Sequence, residues 1–162
     1  MKSFVGVRNR LLESITHNFA VPLLISIRKN EPFHFTMNEL ESFPDGTIGK
    51  DLVVYLEKKK FTLMKNYERH DCKHIIFGYE MDQKGEGLMQ FYFLGTGHYS
   101  LPVVTSVLAY LLLMPEEWSS FYREFKKGRC GKKINDLDKM SHNQLVQMRT
   151  SDLQKQFLNN VA

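Results

Sequence analysis

The sequence lacks the features that mark several large classes of protein. Cysteine is scarce: Cys72 and Cys130 are the only two among 162 residues, too few for a disulfide framework or a cysteine-based zinc site. Residues 1–16 mix charged with apolar side chains and contain no apolar core of a secretory signal. We therefore expect a protein of the reducing cytoplasm.

Long apolar runs and strand patterns are also missing. The longest apolar run, residues 101–114, has 14 residues, short of the roughly 20 that a membrane-spanning helix needs. We interpret it as a buried helix or as the wall of an apolar pocket. There is no internal repeat, and apolar residues recur at helical spacing. With 43% hydrophobic and 25% charged residues, the chain predicts an all-α, single-domain helical bundle over residues 1–162.

Charge of one sign is not concentrated anywhere. The formal net charge is +4, and the basic clusters at 58–60 and 126–133 have the character of solvated helix ends. We expect no nucleic-acid partner. The pattern predicts helices over residues 3–17, 19–29, 36–42, 47–58, 67–78, 84–95, 101–113, 115–127 and 142–158, with a loop at 61–66 and a polar connector at 131–139.

The chemistry is concentrated in one short stretch that contains His70, Asp71 and His74. Residues four apart lie above one another on an α-helix, so both imidazoles can point at one cation. Asp71 lies about 100° round the helix from His70, near enough to lean onto the same side. The helix is therefore a candidate to present three metal ligands.

Glu86 is the fourth candidate, and it needs a turn in the chain. In an unbroken helix it would stand roughly 18 Å from His74 at about 1.5 Å per residue. Gly78 and residues 81–85 provide residues suited to a reversal. Two antiparallel helices would then bring two nitrogens and two carboxylates together, a donor set for zinc first, and also for iron, manganese or magnesium.

Other readings of the motif remain open. The His-Asp-x-x-His order is similar to the His-Glu-x-x-His of zinc proteases, whose middle Glu acts as a general base, but Asp is one methylene shorter. A phosphohydrolase of the His-Asp type would need a further upstream His and downstream Asp, for which only His34 and Asp136 are available. A closed four-ligand site would instead indicate a structural metal.

Three separated pieces together resemble the ubiquinone (coenzyme Q) biosynthesis Coq-four family. The turn Pro44-Asp45-Gly46-Thr47-Ile48-Gly49 is similar to a turn of that family, and His70-Asp71-x-x-His74-x11-Glu86 matches its signature at every defined position. Gly128-Arg129 matches a late basic helix end. The resemblance covers roughly residues 40–130, and three extra residues, 98–100, separate Thr96-Gly97 from Leu101-Pro102.

The resemblance implies a mostly helical fold with a divalent metal held by His70, Asp71, His74 and Glu86. It also implies a late role in ubiquinone biosynthesis, either as a metal-dependent oxidative decarboxylase of a prenylated aromatic ring or as a scaffold for other biosynthetic enzymes. The expected partners are a prenylated quinone precursor or isoprenoid lipid and those enzymes. Peripheral contact with the inner face of the membrane and a homodimer are further expectations.

The remaining site candidates surround this motif. For an isoprenoid tail the candidates are aromatic and leucine side chains: Phe91, Tyr92, Leu101, Leu108 and Leu112. Gln90 and His98 are candidates to support the metal ligands. Arg129 is a candidate to bind a carboxylate or phosphate.

Overall fold

The computed structural model describes residues 32–158, and within that range the fold is helical throughout. The predicted helices 3–17 and 19–29 lie outside the described residues. Nine α-helices and one 3-10 helix follow in chain order: α1 (Met37–Glu41), α2 (Ile48–Lys59), α3 (Glu68–Phe77), α4 (Gln83–Gly95), α5 (Leu101–Leu113), the 3-10 helix (Pro115–Glu117), α6 (Trp118–Cys130), α7 (Asn135–Asp138), α8 (His142–Gln147) and α9 (Thr150–Leu158). The predicted all-α class is confirmed.

The described chain divides into two compact units. We call residues 80–129 the central unit, and residues 32–79 with 130–158 the discontinuous unit. The single-domain organisation stays a prediction. No helix within residues 32–158 combines the length and apolar character that crossing a membrane requires.

Helix α2 lies at the centre of the discontinuous unit. It packs against α1, α3 and α8, and α3 in turn packs against α9. Thr47 caps its first turn by accepting a hydrogen bond from the backbone N–H of Lys50, and Ile48, Leu52 and Leu56 are buried on its inner face. The predicted cap and the predicted inward residues are confirmed here.

The C-terminal part of this unit differs from the prediction. The single polar helix 142–158 is two helices, because the backbone at Met148 is extended and ends α8. Leu153 and Phe157 of α9 are buried, so the expectation of a fraying end is wrong. The connector 131–139 contains α7, whose Leu137 is also buried. Sparse apolar residues suffice to bury a short helix when each of them points inward.

The central unit is built on close contact between α4 and α6. A Cβ on Gly128 would collide with the carbonyl oxygen of Tyr92, and a Cβ on Gly95 would collide with that of Phe125. Gly128 was predicted to end α6, but the helix continues through it to Cys130. This glycine therefore serves helix packing instead of helix termination. Helix α5 packs against the other side of the unit, on α4.

Candidate metal centre

Helix α3 presents the two histidines as the spacing predicted. The rings of His70 and His74 lie one helical turn apart, with their centroids 4.9 Å from each other. His74 is buried and His70 is nearly so, with 14% of its side chain exposed. Two imidazoles held side by side and away from bulk water are suitable for binding one cation.

The ring of His74 is oriented by the chain that follows α3. Gly78 has a left-handed backbone (φ 70°, ψ 24°), which ends the helix and turns the carbonyl oxygen of Tyr79 toward His74. That oxygen lies 3.2 Å from His74 Nδ1. A carbonyl oxygen can only accept, so Nδ1 carries the proton and Nε2 keeps its lone pair for a metal ion.

Asp71 lies next to His70. One of its carboxylate oxygens is 3.7 Å from His70 Nδ1, a distance for charge attraction and too long for a hydrogen bond. The ring of Tyr67 lies against the other side of the imidazole, with 4.3 Å between the ring centroids. These neighbours restrict the orientations open to the His70 ring.

Glu86 lies in the first turn of α4, and the local sequence explains why. Asp82 caps the helix by accepting a hydrogen bond from the N–H of Gly85 at 2.7 Å. A Cβ at position 85 would collide with the carbonyl oxygen of Glu80, so this tight start requires glycine. One turn later, Gln90 donates from Nε2 to Glu86 Oε1 at 2.6 Å. The carboxylate is therefore held through one of its two oxygens.

Three of the four predicted ligands form a group that could hold a metal ion. A ring nitrogen of His70, a ring nitrogen of His74 and a carboxylate oxygen of Glu86 all lie within 4.8 Å of one another. Two imidazoles and one carboxylate are a donor set known for zinc and for iron(II), and three protein ligands leave positions open on either ion. Asp71 is outside this group, so its role as a ligand stays a prediction.

The charged neighbours of the histidines hold α3 in place. Lys73 is almost fully buried and pairs with Asp138 at 2.7 Å. Arg69 donates to the carbonyl oxygens of Leu137 and Met140 at the end of α7, at 3.3 and 2.8 Å. Burial raises the pKa of Glu68 above its ordinary value, and the Asp71 charge adds to this effect. Sequence analysis had assigned Arg69 to the surface, but it clamps neighbouring backbone.

Comparison with known proteins finds the fold but no family. No family model matches this chain, and no curated protein does either. The chain is similar to the crystal structure of a candidate ubiquinone biosynthesis protein from Nostoc punctiforme, with a TM-score of 0.55 and 19% identity, over 96% of this chain and 82% of that one. A likeness at this identity shows a shared fold and nothing finer.

The predicted lipid-binding side chains do not share one surface. Phe91 and Tyr92 are buried in the central unit, where Phe91 stacks on Phe121 with 4.5 Å between ring centroids. Leu101, Leu108 and Leu112 of α5 are exposed, at 68%, 55% and 80%. The interpretation of 101–114 as a buried helix is therefore wrong for this face. A role in lipid binding stays a prediction for all five residues.

The three supporting candidates also separate. Gln90 is buried beside Glu86, whereas it had been predicted to support the histidines. His98 is half-buried just after α4, and Arg129 is exposed near the end of α6. The carbonyl of Tyr79 was missed entirely. Gly78 was the available signal, because a glycine after the last turn of a helix predicts a chain reversal beside that turn.

Proposed function

We propose that this chain is a metal-dependent protein of ubiquinone-type biosynthesis that binds a prenylated quinone precursor. In this proposal His70, His74 and Glu86 hold one divalent cation, and Asp71 supports His70 or joins as a fourth ligand. The observation that carries the proposal is the close approach of the two imidazoles and the carboxylate. The Nostoc punctiforme protein of similar fold, with its link to ubiquinone biosynthesis, supports the choice of pathway.

The donor set fits a catalytic ion better than a structural one. Closed structural zinc sites have four protein ligands and are usually rich in cysteine, whereas catalytic sites keep a position open. When bound, the ion would supply a Lewis acid for an oxygen of the aromatic substrate. The reaction implied by the resemblance, oxidative removal of the ring carboxyl group, is the activity we propose for this site.

The residues of α3 and α4 would serve this function by preparing the ligands. The Tyr79 carbonyl keeps the proton of His74 on Nδ1, so Nε2 is ready to bind without a change of tautomer. The Asp71 carboxylate attracts the proton of His70 toward Nδ1 in the same way. A site prepared like this loses little free energy to reordering when the ion arrives.

The exposed leucines of α5 support peripheral contact with a membrane. Leu101, Leu108 and Leu112 recur at 7 and 4 residues and so form one stripe along the helix. Trp118 and Tyr122 of α6 are also exposed, and Tyr122 carries the ammonium of Lys126 at 4.7 Å from its ring. Leucines next to exposed aromatics and lysines match an anionic lipid surface. A prenylated substrate would be collected from such a surface.

The first test is metal analysis and lipid extraction on the purified full chain. We expect near-stoichiometric zinc or iron and an isoprenoid compound in the extract. His74→Ala and Glu86→Ala should lose the metal, and the exposed His34 supplies the control His34→Ala, which should keep it. Full metal content in both site variants would overturn the proposed centre.

A second test separates catalysis from scaffolding. Incubation with a prenylated hydroxybenzoate and dioxygen should release the ring carboxyl group as carbon dioxide, detected by mass spectrometry of labelled substrate. Glu86→Ala should abolish release while the prenylated compound still binds. If wild-type protein with its full metal content binds the compound and releases nothing, the scaffold function replaces the catalytic one.

The membrane contact has its own assay. Full-length protein should sediment with vesicles of phosphatidylcholine and phosphatidylglycerol. Changing Leu101, Leu108 and Leu112 together to Gln should reduce binding by more than tenfold, because each buried leucine is worth about 1.5–3 kcal/mol. The control changes the exposed Val54 and Phe61 to Gln and should bind like wild type. Equal binding by both variants would exclude the α5 stripe as the contact.

A further inference from the structure

Gln90 combines three properties that a surface-exposed or purely packing residue does not have. It is a polar side chain in an apolar stretch of α4, and only 7% of it is exposed. Its amide nitrogen is 2.6 Å from Glu86 Oε1. Its amide oxygen is buried and accepts no hydrogen bond from the described part of the chain.

The hydrogen bond to Glu86 fixes the orientation of the carboxamide. If the amide were turned by 180°, its oxygen would face the Glu86 carboxylate at 2.6 Å, and two acceptors would repel each other. The N–H must therefore point at Glu86, and the oxygen must point away from it. The donor side of Gln90 is satisfied and the acceptor side is not.

A buried acceptor without a donor is unfavourable, at about 1–3 kcal/mol. Native proteins rarely keep such an atom unless another state of the protein uses it. Phe91 and Met89, the neighbours of Gln90 in sequence, are apolar and buried, so a methionine or leucine would have been compatible with this environment. The requirement for a carboxamide thus comes from its polar contacts.

We infer that Gln90 is a positioning residue for the metal centre. It holds Glu86 through Oε1 so that Oε2 is the oxygen available to the ion, and its own Oε1 accepts a hydrogen bond from a water molecule or hydroxyl group brought into the site. This inference rests on the proposed function, because it assigns Gln90 a role toward the same ion. It adds a residue that lies outside the His-Asp-x-x-His-x11-Glu pattern.

Gln90→Met provides the test, since methionine has similar length and removes both polar atoms. Zinc affinity is measured by competition with a chromophoric chelator on the full chain, and the ligand geometry by the visible absorption of the cobalt(II) form. We expect zinc to bind about 10–100-fold more weakly, the usual effect of removing a group that orients a ligand. The cobalt absorption should shift in wavelength and intensity.

Gln83→Met is the matched control on the same helix. Gln83 also makes a side-chain hydrogen bond, accepting from the hydroxyl of Tyr110 at 3.3 Å, but it does not bond Glu86. We expect its zinc affinity and cobalt spectrum to equal those of wild type. Gln90→Glu is a second variant in case Gln90→Met does not fold. It keeps the size but replaces the donor by a carboxylate, so it should lose orientation of Glu86 as well.

The outcomes separate this inference from the function on which it rests. If wild type binds zinc and Gln90→Met binds it equally well with an unchanged cobalt spectrum, the positioning role is wrong and the metal centre stands. A loss of unfolding free energy in the metal-free variant with unchanged affinity would show a structural role only, and would also overturn the inference. If wild type binds no zinc, iron(II) or cobalt(II), both proposals fail together.

Discussion

Helices α4 and α5 are neighbours in the central unit and both are rich in apolar residues, yet they are buried to very different degrees. In α4 the side chains of Met89, Tyr92 and Phe93 are buried. In α5 Leu112 is 80% exposed, and only Val103, Val107 and Tyr110 are buried. The difference teaches that apolar composition permits burial, while the number of faces covered by neighbours decides it.

The reason lies in the glycines. Gly95 of α4 meets Gly128 of α6, so these helices approach until their backbones are in contact. Gly87 of α4 leaves room for the ring of Phe121, and the ring of Tyr110 lies close to the same glycine. Helix α4 is thus covered on two sides. Three experiments can break or sharpen this comparison.

The largest difference should appear in thiol reactivity. Burial raises the pKa of Cys72 to about 12, so its thiolate is scarce at pH 8, whereas an exposed thiol has an ordinary pKa near 8.5. In a Cys130→Ser background, Leu112→Cys should react with a thiol reagent about a thousandfold faster than Cys72 does. Raising the pH from 7 to 8 should accelerate the reaction at position 112 severalfold, because the thiolate fraction increases.

Met89→Cys in the same background extends the test to α4. It should remain as unreactive as Cys72 in folded protein and become reactive in denaturant. Similar labelling rates at positions 89 and 112 would contradict the proposed difference between the two helices.

Truncation should reveal the next largest effect. Met89→Ala removes a fully buried side chain and should lower the free energy of unfolding by about 2–5 kcal/mol. Leu112→Ala removes an exposed side chain and should change it by less than about 0.5 kcal/mol. Urea unfolding followed by circular dichroism measures both. A cost of more than about 1 kcal/mol at position 112 would mean that the α5 stripe is covered.

The smallest effect is expected at the helix starts. Asp82 accepts a hydrogen bond at the N-terminus of α4, so Asp82→Ala should cost about 1 kcal/mol. Ser100 stands at the same position of α5 without a side-chain capping bond, so Ser100→Ala should cost almost nothing. The same urea assay compares the two. An equal loss in both variants would show that Ser100 contributes a capping interaction after all.

Local features of the fold were predictable because they depend on residues close in sequence. The capping box of Thr36 and Glu39 forms as predicted, and so does the turn at Pro44-Asp45-Gly46 that leads into α2. The starts and ends of α3, α4 and α5 fall within one residue of their predicted positions. The histidine pair was equally predictable, since a four-residue spacing on a helix fixes which side chains are neighbours.

Other features depend on residues distant in sequence and were therefore missed. Gly128 reads as a helix end until Tyr92, 36 residues earlier, is known to lie against it. Thr150 donates to the Asp51 carboxylate at 2.5 Å, which fixes the start of α9, and nothing in the local sequence indicates this. The bond between Gln90 and Glu86 was within reach, because the two residues are four apart on one predicted helix.

The sequence by itself determined the helical class, most helix boundaries, and the residue types that could bind a metal ion. Periodicity, capping and turn formation act over a few residues, so they can be read directly from the chain. The tertiary structure decided which apolar faces are covered, which of the two imidazole nitrogens of His74 is available, and which oxygen of Glu86 is held by Gln90. Each of these depends on contacts whose distances only the folded backbone sets, and hydrogen bonds and close packing fail when those distances change by an ångström.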